Sequence, residues 1–195
     1  MNNIDLKTLL ADRGVGTPSG RIVRTLSERG SLSAAQLARL TGLAKSTVST
    51  ALAELKRSEL VVETGSEPAS GAGRPATTLT LNPRAGTCIG ILIGQAEIQV
   101  IVADVSHTVL SDRTVNLEPE YPIEEATELV RDMVADAYAG QWQTQQGLLG
   151  VGIALGAPVN PHTTQVLRGG LPNWTGVNLG ERFGPMFEAR IFADN

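Results

Sequence analysis

The chain has 195 residues, 42% hydrophobic and 18% charged, with mean hydropathy +0.01, which is material for one ordinary globular domain or two small ones. That composition excludes intrinsic disorder and collagen-like repetition, and no run approaches the roughly 18 apolar residues of a membrane span. The net charge of −4 divides unevenly: residues 1–82 carry ten Lys and Arg against seven Asp and Glu (+3), and residues 83–195 six against thirteen (−7), so the front half is the part suited to a polyanion.

Residues 1–18 read as an N-terminal extension. Met1–Leu10 carries no basic leader, apolar h-region or small-residue cleavage site. The single cysteine, Cys88, can form no internal disulfide, so a cytoplasmic protein is expected. Residues 19–82 read as helices followed by a strand pair. Ser19–Gly30 places Ile22, Val23 and Leu26 at helical spacing and stops on glycine. Ser33 can cap a second helix, Ala34–Thr41, with Leu37, Ala38 and Leu40 on its apolar side. Gly42 breaks it, and Ala44–Ser58 forms a third helix burying Val48, Ala51, Leu52 and Leu55. Leu60–Glu63 and Thr77–Leu81 are β-favouring runs joined by a Gly-, Pro- and Ser-rich loop, Thr64–Ala76.

The spacing of Ala38, Gly42 and Val48 is that of a helix-turn-helix. A small residue lets the helices cross closely, a glycine allows a left-handed turn, and a β-branched residue locks the second helix onto the first. Lys45, Ser46, Thr47, Ser49 and Thr50 project from the start of the recognition helix and suit base edges and phosphates in a major groove. Lys56 and Arg57 at its end suit backbone phosphates. The strand pair makes the unit a winged helix, with Gly73 and Arg74 at the wing tip for close backbone approach and for phosphates or a narrow minor groove. The expected partner is a double-stranded DNA operator.

Residues 83–195 have another rhythm. Cys88–Ile93, Glu97–Val105 and Thr108–Leu117 read as three consecutive strands, and Pro122–Tyr138 as an amphipathic helix with Ala126, Val130, Met133, Val134 and Ala137 inward. Leu148–Leu155 is an apolar run expected to be a strand buried on both faces, followed by a short helix near Leu179–Phe183 and a last strand, Arg190–Ala193. Three strands, a helix and another strand predict an α/β lobe with a mixed sheet, in which Cys88 is a buried small hydrophobe. Trp142 reads as a packing residue, and Trp174 fits packing and function equally well. His107 and His162 are isolated and not at ligand spacing, so no metal site and no cofactor are expected.

GAGRPATTLTLNPRAGTCIGILIG (71–94), GVGIALGAPV (150–159) and LPNWTGVNLGERF (171–183), behind a winged helix, resemble transcriptional regulators of the ROK family (repressors, open reading frames, kinases). The resemblance runs from Ser19 to Asn195. It implies an α/β chain: a winged helix-turn-helix over 19–82, then over 83–195 the first, incomplete lobe of an actin-like ATPase domain. The implied function is a sequence-specific DNA-binding regulator, a repressor of carbohydrate genes that answers to a sugar or sugar phosphate and works as a homo-oligomer. Gly156, Asn173, Trp174 and Asn195 are the sugar-binding residues it implies. The alternatives are a ROK sugar kinase carrying a DNA-binding module, or an inactive fragment. The family's kinases open the lobe with an Asp-x-Gly-Gly-Thr phosphate loop, whose aspartate organises Mg²⁺ or water. Here that stretch is Leu92-Ile93-Gly94-Gln95-Ala96, and neither leucine nor alanine can do this chemistry. Ile191–Asn195 aligns with the start of the family's Glu-Asn-Asp element, and the sequence stops before the catalytic base, so no catalytic residue and no enzyme activity are expected.

Overall fold

The structure, a computed structural model, describes residues 16–67, 76–138, 147–187 and 189–195. The chain divides into two compact units, the first spanning Met1–Ala85 with Val105–His107 and the second Gly86–Asp104 with Thr108–Asn195.

In the first unit, helix α1 (Pro18–Arg29) starts with proline, whose missing N–H would have no helical partner there. The Thr17 hydroxyl accepts from the Gly20 N–H, and Gly30 at φ 75° ends the helix. Strand β1 (Leu32–Ser33) leads into α2 (Ala34–Thr41), and the two residues that open this helix's hydrogen bonding serve each other. The Ser33 N–H donates to Gln36 Oε1 at 2.6 Å and the Gln36 N–H donates back to Ser33 Oγ at 3.4 Å, a capping box. Gly42 takes the left-handed turn at φ 67°, and α3 (Lys45–Arg57) follows. Strands β2 (Val61–Glu67) and β3 (Ala76–Leu81) pair antiparallel, and β1 adds to the far side of β3 through Leu32 opposite Leu79. Ile22, Leu37, Val48, Leu55, Val61 and Leu79 make the core, each at most 3% exposed. Leu40, expected on the apolar side of α2, is instead 46% exposed. Leu37 and Thr41, four residues apart, form the inward row, and Leu40 falls outside it.

In the second unit, β4 (Thr87–Ile93), β5 (Glu97–Asp104) and β6 (Val109–Asn116) form an antiparallel meander. Helix α4 (Ile123–Tyr138) then returns the chain to β7 (Leu148–Leu155), parallel to β4, and β8 (Arg190–Asp194) lies parallel to β7. The sheet order is β6-β5-β4-β7-β8. Its inner face presents Ile89, Ile91, Val100, Val102, Val151 and Ile153 to the core shared with Ala126, Val130 and Met133 of α4; Val134 is only partly buried. Between β7 and β8 run a 3₁₀ turn (Pro172–Trp174), the short helix α5 (Leu179–Phe183) and a second 3₁₀ turn (Gly184–Met186).

Two expectations are corrected here. Strand β7 is buried on one face, not two: Leu149, Val151, Ile153 and Leu155 point into the core, while Gly152 and Ala154 are open. Glycine and alanine extend an apolar run without having much surface to bury, so the run looked two-sided. Cys88 is exposed rather than buried, because its position in β4 alternates with Ile89 and Ile91, which face α4. Trp142 lies outside the described residues.

Candidate nucleic-acid interface and ligand pocket

The exposed face of α3 is a single stripe. Lys45, Ser46, Ser49, Thr50, Lys56 and Arg57 are all open to solvent, with Ala53 between them, and Thr47 is half-buried at its edge. The one acid in this helix, Glu54, is turned toward α1, where its carboxylate accepts from Ser19 Oγ at 3.3 Å. The stripe therefore carries cations and short polar groups with no carboxylate of its own. The Arg21 guanidinium donates to the Thr41 carbonyl at the end of α2, tying α1 to the helix-turn-helix corner at Gly42. A groove of about 610 Å³ runs beside the stripe, lined by Ala34, Lys45, Ser49, Lys56, Glu63 and Thr77 among others. Within it Lys56 is ion-paired with Glu63 of β2, a partner that helical spacing alone gave no way to find. Gly73 and Arg74 lie outside the described residues.

The four residues singled out in the second unit do not form one cluster. Trp174 is 1% exposed and stacks on Phe183, ring centroids 6.4 Å apart at an interplanar angle of 8°, so packing dominates its surroundings. Asn173 is exposed, and its Nδ2 donates to the Glu120 carbonyl at 3.1 Å. Gly156 donates its N–H to Ile93 at 2.9 Å, joining the carboxyl ends of β4 and β7. Its carbonyl oxygen is approached so closely by Gly170 that a Cβ there would sit 1.9 Å away. Asn195 is exposed just past β8.

Asn173 and Trp174 line a pocket of about 250 Å³, together with Gln95, Pro119, Glu120, Tyr121, Gly170, Leu171 and Pro172. Gly156 and Asn195 are not part of its wall. Glu120 holds a left-handed backbone at φ 64°, uncommon for a residue with a Cβ. Beside it the Tyr121 hydroxyl donates to the Gly94 carbonyl at 2.6 Å. Burial pushes the Tyr121 phenol up to about 12. Gln95, Glu120 and Tyr121 had no spacing signal, because the pocket wall is assembled from three segments apart in sequence, at 95, 119–121 and 170–174. Among the described residues, no group of three or more His, Cys, Asp or Glu is placed to hold a metal ion, and no helix is long and apolar enough to cross a membrane.

A MarR family model matches residues 13–71 and a ROK family model matches residues 88–195. The chain is 30% identical over 174 residues to a protein named xylose repressor from Bacillus spizizenii, and 28% identical to one of the same name from Bacillus subtilis. Both alignments cover 89% of this chain and 44% of the relative, so the chain spans less than half the length of the curated relatives it matches. A solved structure described as a ROK family transcriptional regulator, homolog of the E. coli MLC protein, superposes with a TM-score of 0.65 at 20% identity. It covers 90% of this chain and 44% of that one, and at this identity the likeness shows the fold.

Proposed function

The chain belongs to the ROK family, with a MarR-type winged helix ahead of its ROK segment, and from that premise we propose that it is a sequence-specific DNA-binding repressor of carbohydrate genes. The observation that carries this reading is the acid-free stripe of α3. In a major groove it offers Lys45, Ser46, Thr47, Ser49 and Thr50 to base edges, and Lys56 and Arg57 to phosphates that fix register. Gly73 and Arg74, from the sequence between β2 and β3, are the residues we assign to the neighbouring backbone or minor groove. Two such modules in a homo-oligomer match a palindromic operator.

The effector is a sugar or sugar phosphate bound by the ROK segment, and xylose, from the names of the relatives, is the first to try. Its binding shifts the population of DNA-competent arrangements by its difference in affinity between them. A kinase reading is disfavoured by chemistry: the end of β4 and the turn that follows it carry Leu92 and Ala96 where the family's phosphate loop has aspartate and threonine. The reading also places the protein in the cytoplasm.

Fluorescence anisotropy with DNA from the upstream region, over a salt series, tests it. Binding is expected to be salt-sensitive, tighter than to a scrambled duplex, and weakened by Lys45→Ala and by Arg74→Ala. Equal binding to both duplexes, unaltered by either substitution, would refute the DNA assignment.

A further inference from the structure

Strand β8 is an edge of the second unit's sheet, and its five residues alternate cleanly. Ile191 and Ala193 turn toward the core, while Arg190, Phe192 and Asp194 stand exposed on the outer face. Its hydrogen bonding to β7 occupies one side, and among the described residues no strand or bridge pairs with the other. An open edge is a template for another strand, and proteins commonly blunt it with lysine, proline or a bulge. Strand β8 carries none of the three, and its register with β7 runs without a shift. We propose that this edge is an interface for a second copy of the chain, whose own β8 adds antiparallel and joins the two five-stranded sheets into one. The proposal deepens the homo-oligomeric reading above, on which it rests for its use in DNA binding.

The outward residues select the partner. Arg190 and Asp194 lie four residues apart on one face, about 13 Å along an extended chain, too far to pair with each other. None of the ion pairs among the described residues uses either charge. In an antiparallel copy centred on Phe192, Arg190 lies directly opposite Asp194 of the second copy, and Asp194 opposite its Arg190. The two Phe192 side chains then meet at the twofold axis. Opposite charges and aromatic pairs are the favourable cross-strand neighbours, whereas a parallel copy in register sets like charge against like. The strand is thus complementary to itself in one direction only, as an isologous interface requires.

The side chains are already arranged for this contact. The Arg190 guanidinium sits 4.9 Å from the centre of the Phe192 ring, and the ring leans on Gly150 of β7, where a Cβ would lie 3.6 Å from its Cε2. The Asp194 carboxylate accepts from the Asn195 N–H at 2.9 Å. Phe192 is nonetheless 53% exposed, apolar surface that a second copy would cover.

Sedimentation velocity on the full chain, over about a hundredfold range of concentration, reads the association. A monomer–dimer equilibrium is expected. Arg190→Asp sets carboxylate against carboxylate at both ends of the pair and is expected to weaken the dimer about tenfold or more. Adding Asp194→Arg exchanges the signs and is expected to return the dissociation constant to within about threefold of its starting value. A second measurement does not depend on charge. Directly opposed residues of an antiparallel pair have Cα atoms about 4.5–5.5 Å apart, inside the disulfide range. Phe192→Cys in a Cys88→Ser background should therefore cross-link to a covalent dimer on mild oxidation. Val109→Cys, as exposed but on the opposite edge strand, should not. A dimer indifferent to Arg190→Asp, with no cross-link through position 192, overturns the β8 interface and leaves the homo-oligomeric reading standing. A charge reversal that the exchange fails to rescue overturns the antiparallel register. A chain that is monomeric at every concentration overturns both the interface and the homo-oligomeric reading.

Discussion

Lys56, in the last turn of α3, spends its charge on Glu63 of β2, and the two side chains are 40% and 56% exposed. Glutamine at position 63 keeps the shape of the groove wall and removes the carboxylate. A pair this open contributes only about 0–1 kcal/mol to stability, so Glu63→Gln leaves the fold intact. Its effect falls on DNA. The freed ammonium can neutralise one further phosphate, which steepens the fall of log K with log salt by about 0.9. Over a fourfold change in salt, from about 200 to about 50 mM, the variant should gain about 3.5-fold more affinity than the unaltered protein gains. Anisotropy titrations at four salt concentrations read this slope directly. Lys56→Ala placed on top of Glu63→Gln should return the slope to its starting value, since the two sites act through one contact. Parallel salt dependences for the unaltered protein and Glu63→Gln would refute the reasoning that Glu63 withholds Lys56 from a phosphate.

Three further outcomes follow from the same geometry. Ser33→Ala removes one half of the capping box and should lower stability by about 1 kcal/mol, read as the urea midpoint of the first unit's helical signal; an unmoved midpoint would contradict the cap. The raised phenol of Tyr121 keeps its proton in the folded state while the unfolded chain gives it up near its ordinary value of 10.0. That contribution to stability is therefore complete below pH 10 and lost as pH rises toward about 12, and Tyr121→Phe should abolish the decline. Tyrosinate absorbance in a Tyr138→Phe background should show the late ionisation directly. Cys88 stands open on the outer face of the sheet, yet desolvation by its neighbours holds its thiol above the usual range. It should be alkylated to completion in the native protein, with a rate that rises at higher pH than in the denatured chain. A thiol unreactive until denaturation would place it inside.

The parts of the fold that the sequence made legible are those where one residue type has one local job. Ser33 and Gln36 three apart announce a cap, Gly42 announces a left-handed corner, and the spacing of Val48, Leu52 and Leu55 gives the buried side of α3. The mixed sheet followed from the order of strands and helix. What stayed hidden depends on partners far along the chain. The two residues of β1 are too few to show any period, and they form a strand only because β3 is there to pair with. The apolar run of β7 could not reveal which side lacked cover, since Gly152 and Ala154 satisfy a hydrophobic pattern without needing burial. At the α3 stripe the exposed cations were readable, but the inward turn of Glu54 toward Ser19 and the engagement of Lys56 by Glu63 were not. The pocket was the least legible part, because Glu120 and Asn173 meet across 53 residues through a backbone carbonyl that no composition records.

The inward turn of Glu54 also bears on how fast, and by which side, a polyanion is met. The chain as a whole carries −4, so at long range a DNA duplex is repelled on average. On the DNA-binding reading proposed above, collisions that present the acidic residues 83–195 are expected to fail early, and those that present the carboxylate-free stripe of α3 to survive long enough to rotate into register. Charge segregation of this kind acts as an orientation filter: it lowers the number of encounters while raising the fraction that are productive. Raising the ionic strength should weaken both the repulsion and the local attraction. The association rate constant should accordingly respond to salt less steeply than the dissociation rate constant, a kinetic signature that equilibrium affinities alone cannot display.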